Sequence, residues 1–203
     1  MKVKNIYIAG VGGQGVGLLA ETLMRAADHA GLKIKAVDTH GLAQRGGSVI
    51  SQLRIGENIY SPLIREGEAD IVVALERHEA LRGLNDFLRD GGTIIYYNTI
   101  LQPLEVRLNL AGEISEETIS GECKNRNIRE IRLFKEDLED IRMQNMVLLA
   151  NINKHHLVPE ISTHHFVMAM EDLMEGKTLE NNLTLFQRES SDNSSNVRLG
   201  FCL

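Results

Sequence analysis

Apolar residues cluster at Ile6–Ala9 and give way to Gly10-Val11-Gly12-Gly13-Gln14-Gly15. A helix-spaced series follows: Val16, Leu19, Leu23, Ala26, Ala27 and Ala30. This pattern predicts a strand over 4–9 and a helix over 14–30 that Gly31 ends. Lys33 to Asp38 reads as a second strand, and strand–helix–strand at this length predicts a parallel crossover. Ser48 to Ile55 predicts a third strand. The turn signal Gly56-Glu57-Asn58 and the extended Ile59-Tyr60-Ser61-Pro62 follow it, giving a hairpin beside the sheet. The run Ala69 to Leu75, apolar apart from Asp70, predicts a strand buried on both faces. Residues 77–88 carry Ala80, Leu81, Leu84 and Leu88 on one helical face, and Asp90-Gly91-Gly92 is read as their stop. Thr93 to Tyr97 forms the next strand and ends in Asn98-Thr99.

The second half repeats these signals more weakly. Leu104 to Leu110 and Ile128 to Phe134 suit strands. A short helix is expected over 115–122, started by Ser115, and longer ones over 136–152 and 162–175, the last capped by Ser162. From residue 184 the pattern fails, and the run from Ser190 to Asn196 is polar and of low complexity. The prediction is an α/β fold: a mainly parallel Rossmann-like sheet with helices on both faces and a hairpin insertion. Residues 1–183 form a single Rossmann-like α/β domain, and 184–203 form a polar, mobile tail.

Charge and composition narrow the function. The net charge of -6 and the absence of tryptophan argue against nucleic acid or an anionic membrane as partner. The start Met1-Lys2-Val3-Lys4-Asn5 has no apolar signal core, and no run is long enough to span a bilayer. A cytoplasmic protein is expected. Cys123 and Cys202 are the two cysteines. An iron–sulfur cluster needs four, so any cluster serving this protein sits on another chain.

Gly10, Gly12 and Gly15 fit the GxGxxG pattern between a strand and a helix, with Asp38 where an acid would meet a ribose. One reading is a free-standing oxidoreductase that binds NAD(P). The additional Gly13 and Gln14 are not required by a dinucleotide, and Gly12 and Gly13 are expected to exclude any side chain. The second glycine loop carries His40, Gln44, Arg45, Gly46, Gly47 and Ser48. Both loops leave the same ends of their strands, an arrangement that holds an anion. Arg45 offers a planar fork to a phosphate, or to a carboxylate on a partner chain. The pairs His155-His156 and His164-His165 point apart and read as surface residues, with no metal site. Lys124, Arg126, Arg129, Arg132 and Lys135 alternate with acids and read as a solvated face. With neither a nucleophile elbow nor a P-loop, no self-contained catalytic set is expected.

GVGGQGV (10–16), HGLAQRGGSV (40–49), YSPLI (60–64), EADIVVALE (68–76) and YNT (97–99) together resemble the gamma-type subunit of 2-oxoacid:ferredoxin oxidoreductases. The HG-x-x-QRGG form is most similar to the beta subunit of the indolepyruvate enzymes. The blocks densely cover the first half of the chain; beyond residue 105 only the general helical pattern matches. The resemblance implies a large catalytic partner subunit holding thiamine diphosphate and 4Fe-4S clusters. That assembly converts a 2-oxoacid, here indolepyruvate or another arylpyruvate, into acyl-CoA, carbon dioxide and reduced ferredoxin. This chain would complete the enzyme, with no catalytic residue of its own. Gly10, Gly12, Gly13, Gln14, Gly15, His40, Gln44, Arg45, Gly46, Gly47, Ser48, Asn98 and Thr99 would lie at the coenzyme A or subunit interface. A non-enzymatic interaction module is the remaining alternative.

Overall fold

The computed structural model describes residues 3–40, 47–100, 114–138 and 140–191. The strands are β1 (Lys4–Val11), β2 (Ile34–His40), β3 (Ser48–Ile55), β4 (Ala69–Ala74), β5 (Leu88–Tyr97) and β6 (Arg129–Leu133). The helices are α1 (Val16–His29), α2 (Arg77–Asp86), α3 (Glu116–Asn125), α4 (Gln144–Lys154), α5 (Thr163–Leu173) and α6 (Gly176–Ser191). A single 3-10 turn, Ile141–Met143, leads into α4. The predicted strand over 104–110 lies outside the described residues.

The strands form one sheet in the order β2-β3-β1-β4-β5-β6. β1, β4, β5 and β6 are parallel neighbours, and β3 runs antiparallel to both β1 and β2. The side chains of β1 alternate between two cores. Ile6 and Ile8 pack with α1, α4, α5 and α6, whereas Tyr7 and Ala9 pack with α2 and α3. The predicted fold class is therefore present, with one topological refinement. The hairpin is β2–β3, and its second strand is inserted between β1 and β2 instead of lying beside the sheet.

Local chemistry explains several helix ends. Gly31, at φ +70°, closes α1 with Gly31 N–H on the Asp28 carbonyl and Leu32 N–H on the Ala27 carbonyl. The Ser115 side chain caps α3, and Ser162 forms a reciprocal capping box with His165 on α5. The expected stop at Asp90-Gly91-Gly92 is corrected. α2 ends at Asp86, and these residues lie within β5, where the register shifts after Ala69 pairs with Leu88. Phe87 leaves the helix to stack on Tyr7, ring centroids 4.2 Å apart.

The C-terminal expectation also changes. Residues 176–191 form α6, with Leu185 and Phe186 buried against the α4–α5 layer. Polar residues flanking those anchors, among them Asn181, Asn182, Thr184, Gln187 and Arg188, masked the helical period in the sequence. The run from 192 onward lies outside the described residues.

The basic stretch 124–135 is more than a solvated face. Arg126 bonds Asp90 and the carbonyls of Leu84 and Leu88, and Arg132 pairs with Glu116. Arg129 Nη2 lies 3.2 Å from His155 Nδ1. Burial, with Arg129 beside it, lowers the His155 pKa from 6.5 to about 4. The unfolded chain takes up this proton as pH falls below about 6.5, and the folded one resists until about pH 4. Stability contributed by neutral His155 is therefore present above that window and lost as pH falls through it. His155→Phe should flatten the pH dependence of the melting temperature between pH 6.5 and pH 4; an unchanged slope would exclude this coupling.

Candidate functional site

Val11 pairs with Ser48 and Gly10 with Val49, so β1 and β3 bring the two glycine loops together at the carboxyl end of β1. Gly12 N–H then donates to the Gly47 carbonyl at 2.9 Å. Beside this bond lies a cleft of about 390 Å³ lined by Val11, Gly12, Gly13, Gly15, Val16, Gly17 and Val49. No side chain caps α1 at Gly15, so N–H groups of its first turn are donors at the cleft wall. An apolar floor edged with backbone donors suits a phosphate carried on an organic group.

The glycines divide into different jobs. A Cβ on Gly10 would stand 2.7 Å from Val16 Cγ2 and 3.0 Å from Leu75 Cβ, so Gly10 permits helix–strand contact. A Cβ on Gly15, at φ +85°, would meet Asn145 Nδ2 at 2.5 Å. Gly13 differs: at φ +104° nothing lies within 4 Å of its Cβ position. Within the chain its constraint is backbone conformation, and its Cβ position is open beside the cleft.

Gln14 is buried. Its Oε1 accepts from Val11 N–H at 2.6 Å and its Nε2 donates to the Leu75 carbonyl at 3.0 Å. Its amide fills the crevice between the carboxyl ends of β1 and β4, the point where an open sheet of this winding receives a ligand. Gln14 thus braces the loop. Asp38 is exposed on β2, and β3 lies between it and β1. Two strand spacings, about 10 Å, separate Asp38 from the first glycine loop. The ribose contact of a dinucleotide site needs these strands adjacent, so this topology disfavours the NAD(P) reading.

His40 ends β2, opposite Val49. Gln44, Arg45 and Gly46 lie outside the described residues. Ser48 Oγ donates to Glu79 Oε2 at 2.9 Å. Asn98 and Thr99 stand apart, at the end of β5. Asn98 Oδ1 accepts from Arg77 Nε at 2.9 Å, its Nδ2 donates to Glu116 at 2.6 Å, and the Thr99 carbonyl accepts from Arg77 N–H. The polar ends of Asn98 are thus engaged in tying α2 and α3 to the sheet.

Sequence reasoning missed the acidic start of α2. Glu76 is fully buried, caps α2 by accepting from Glu79 N–H at 2.6 Å, and lies 3.2 Å from His78 Nδ1. Glu79 is buried beside it and meets Arg82 Nη1 at 3.1 Å. Burial pushes the Glu79 pKa up, while Arg82 and the Ser48 hydrogen bond pull it back. The signal was available: acids at 76 and 79 follow directly on a buried strand. Asn145, which contacts Gly15 from α4, carried no such signal.

Among the described residues no group of three or more His, Cys, Asp or Glu could hold a metal ion. Cys123 is buried, and burial pushes its thiol up to about 12, so it stays protonated. No described helix is long and apolar enough to cross a membrane.

The family model for pyruvate ferredoxin/flavodoxin oxidoreductase matches residues 5–189. The chain is 42% identical over 111 residues to indolepyruvate oxidoreductase subunit IorB of Thermococcus kodakarensis, covering 55% of this chain and 54% of the relative. It is 33% identical over 183 residues to the subunit of the same name from Archaeoglobus fulgidus, covering 88% and 90%. The chain thus spans a little over half of the Thermococcus relative and nearly all of the Archaeoglobus one. By structure it is similar to the gamma subunit of a keto/oxoacid ferredoxin oxidoreductase from Geobacter sulfurreducens. That match has a TM-score of 0.64, 20% identity and coverage of 92% and 96%. It is also similar to 2-oxoglutarate:ferredoxin oxidoreductase from Magnetococcus marinus, solved with 2-oxoglutarate, coenzyme A and succinyl-CoA. There the TM-score is 0.63 at 20% identity, over 93% of this chain and 30% of that one.

Proposed function

This chain belongs to the pyruvate ferredoxin/flavodoxin oxidoreductase family, and from that we propose that it is the small, non-autonomous subunit of a 2-oxoacid:ferredoxin oxidoreductase acting on indolepyruvate or another arylpyruvate. Thiamine diphosphate and 4Fe-4S clusters belong to a larger partner subunit, where the thiamine supplies the carbanion chemistry of decarboxylation. Carbon dioxide leaves, ferredoxin accepts the electrons one at a time, and coenzyme A takes the acyl group. This chain supplies position and electrostatics.

The observation that carries the reading is the Gly12–Gly47 hydrogen bond, which joins two of the family-like sequence blocks into one surface. In this reading the cleft beside it receives the phosphate-bearing part of coenzyme A, and Arg45, which lies outside the described residues, is the cationic candidate of the second loop. A second feature favours a partner chain. Tyr60 and Leu63 are 89% and 60% exposed, on a segment pinned by Arg54 and Gln52. Rigid apolar anchors of this kind suit a protein interface.

Reconstitution tests the reading. With a thiamine- and cluster-bearing subunit, arylpyruvate should bleach the clusters and coenzyme A should drive turnover; the isolated chain should do neither. NADH-dependent turnover by the isolated chain would overturn the proposal. Arg45→Ala should raise the KM for coenzyme A by roughly ten- to a hundred-fold, the scale of one lost charge-assisted bond. Single-turnover cluster reduction, which precedes acyl transfer, should change less. An unchanged KM with loss of subunit co-elution would place Arg45 at the interface instead.

A further inference from the structure

We propose that Glu79 is a positioning residue for the coenzyme A cleft, acting through Ser48 to hold the second glycine loop in register with the first. The inference rests on the reading of that cleft as a phosphate site. Gly47 and Ser48 are held in two directions. The Gly47 carbonyl accepts from Gly12 N–H one step beyond the Val11–Ser48 pair, continuing the β1–β3 ladder in the plane of the sheet. The Ser48 hydroxyl donates to Glu79 of α2, out of that plane on the face that α2 covers. Ser48 is also the first residue of β3, opposite Val11, where the register of the whole strand is set. A strand that slips there moves its glycine loop with it.

Glu79 occupies the third position of α2, after the cap Glu76. An acid there normally reaches back to the backbone N–H of its own cap. In this helix the carboxylate turns away and accepts from Ser48 and Arg82 instead. Burying a carboxylate is unfavourable unless its oxygens are satisfied. Oε2 accepts from both Ser48 Oγ at 2.9 Å and Arg82 Nη1 at 3.4 Å, and Oε1 lies 3.1 Å from the same Arg82 nitrogen. Glu76 and His78 of α2 and Tyr7 of β1 complete the ionisable surroundings. A group held this firmly, with one oxygen aimed at the neck of a loop, fixes that neck.

Amide hydrogen exchange on the full chain reads the latch directly. Ser48→Ala and Glu79→Ala should each speed exchange at Gly12 N–H by about ten-fold or more, the scale of one lost bond to a charged group. Leu84 N–H, deeper in α2, should stay protected, which reports that the fold is intact. Ser48→Thr and Glu79→Gln retain a hydroxyl and an acceptor and should restore protection at Gly12. In the reconstituted complex, Ser48→Ala should raise the coenzyme A KM with a smaller change in cluster reduction. Unchanged Gly12 exchange in both alanine variants would overturn the positioning role. Faster Gly12 exchange with an unchanged coenzyme A KM would uphold the latch and overturn the reading of the cleft.

Discussion

Gln14→Leu should lower the stability of this chain by about 3 kcal/mol or more, although leucine nearly matches the volume it replaces. The substitution strands two groups at once: Val11 N–H loses its acceptor and the Leu75 carbonyl loses its donor. Each buried backbone group left without a partner costs roughly 1–3 kcal/mol. For a chain of this size, about 3 kcal/mol corresponds to a fall in Tm of roughly 6–12 °C. Gln14→Glu should retain the Val11 bond and lose the Leu75 bond, setting a charge against a carbonyl. It should be destabilised as well, and more severely at high pH than at low. Thermal melts at several pH values check both variants. A Gln14→Leu protein that melts with the parent would show that water or a neighbour satisfies both groups, and the bracing role would fail.

The second large effect lies four residues earlier. Gly10→Val should be destabilised by roughly 3 kcal/mol, or be recovered only as insoluble protein. The added carbon arrives 2.7 Å from Val16 Cγ2 and 3.0 Å from Leu75 Cβ, between a helix and a strand that are both fixed. Overpacking of a tight core typically costs 1–3 kcal/mol, and a branched side chain reaches the upper end. Gly13→Ala makes the contrast. It enters open space and bears only the strain of φ +104°, about 1–2 kcal/mol. Chemical denaturation of the two variants should therefore rank Gly10→Val well below Gly13→Ala. Equal stabilities would mean that the β1–α1 junction yields more readily than its packing indicates.

The sequence announced the elements better than their neighbours. The run Ala69–Ala74, apolar apart from Asp70, named a buried strand, and Ser115 and Ser162 named helix starts, because those signals are local. The insertion of β3 between β1 and β2 was not legible. Nothing in Ser48–Ile55 distinguishes an inner strand from a flanking hairpin, since both bury alternating side chains. That insertion is also what separates Asp38 from the glycine loop, so a motif correct in spacing pointed to a ligand class that the topology disfavours. In the candidate site, glycine positions were legible as glycine and their reasons were not. Gly10 and Gly15 answer to Val16, Leu75 and Asn145, which lie up to 130 residues away. Gln14 read as a ligand contact because a polar residue in a glycine loop usually faces outward; here the Val11 N–H and the Leu75 carbonyl need it inside.

The place of β1 in the sheet has a consequence for biosynthesis. β1 leaves the ribosome before every other described strand, yet its two sheet neighbours are β3 and β4, which follow some forty and sixty residues later. At translation rates of roughly 5–20 residues per second, an apolar strand with both edges unpaired waits for seconds. β2 and β3 can meet earlier, as a hairpin of short sequence separation, and β1 then enters as a strand between two waiting surfaces. Recombinant yield should therefore respond to chaperone supply and to slower growth more than the melting temperature of the finished protein would suggest.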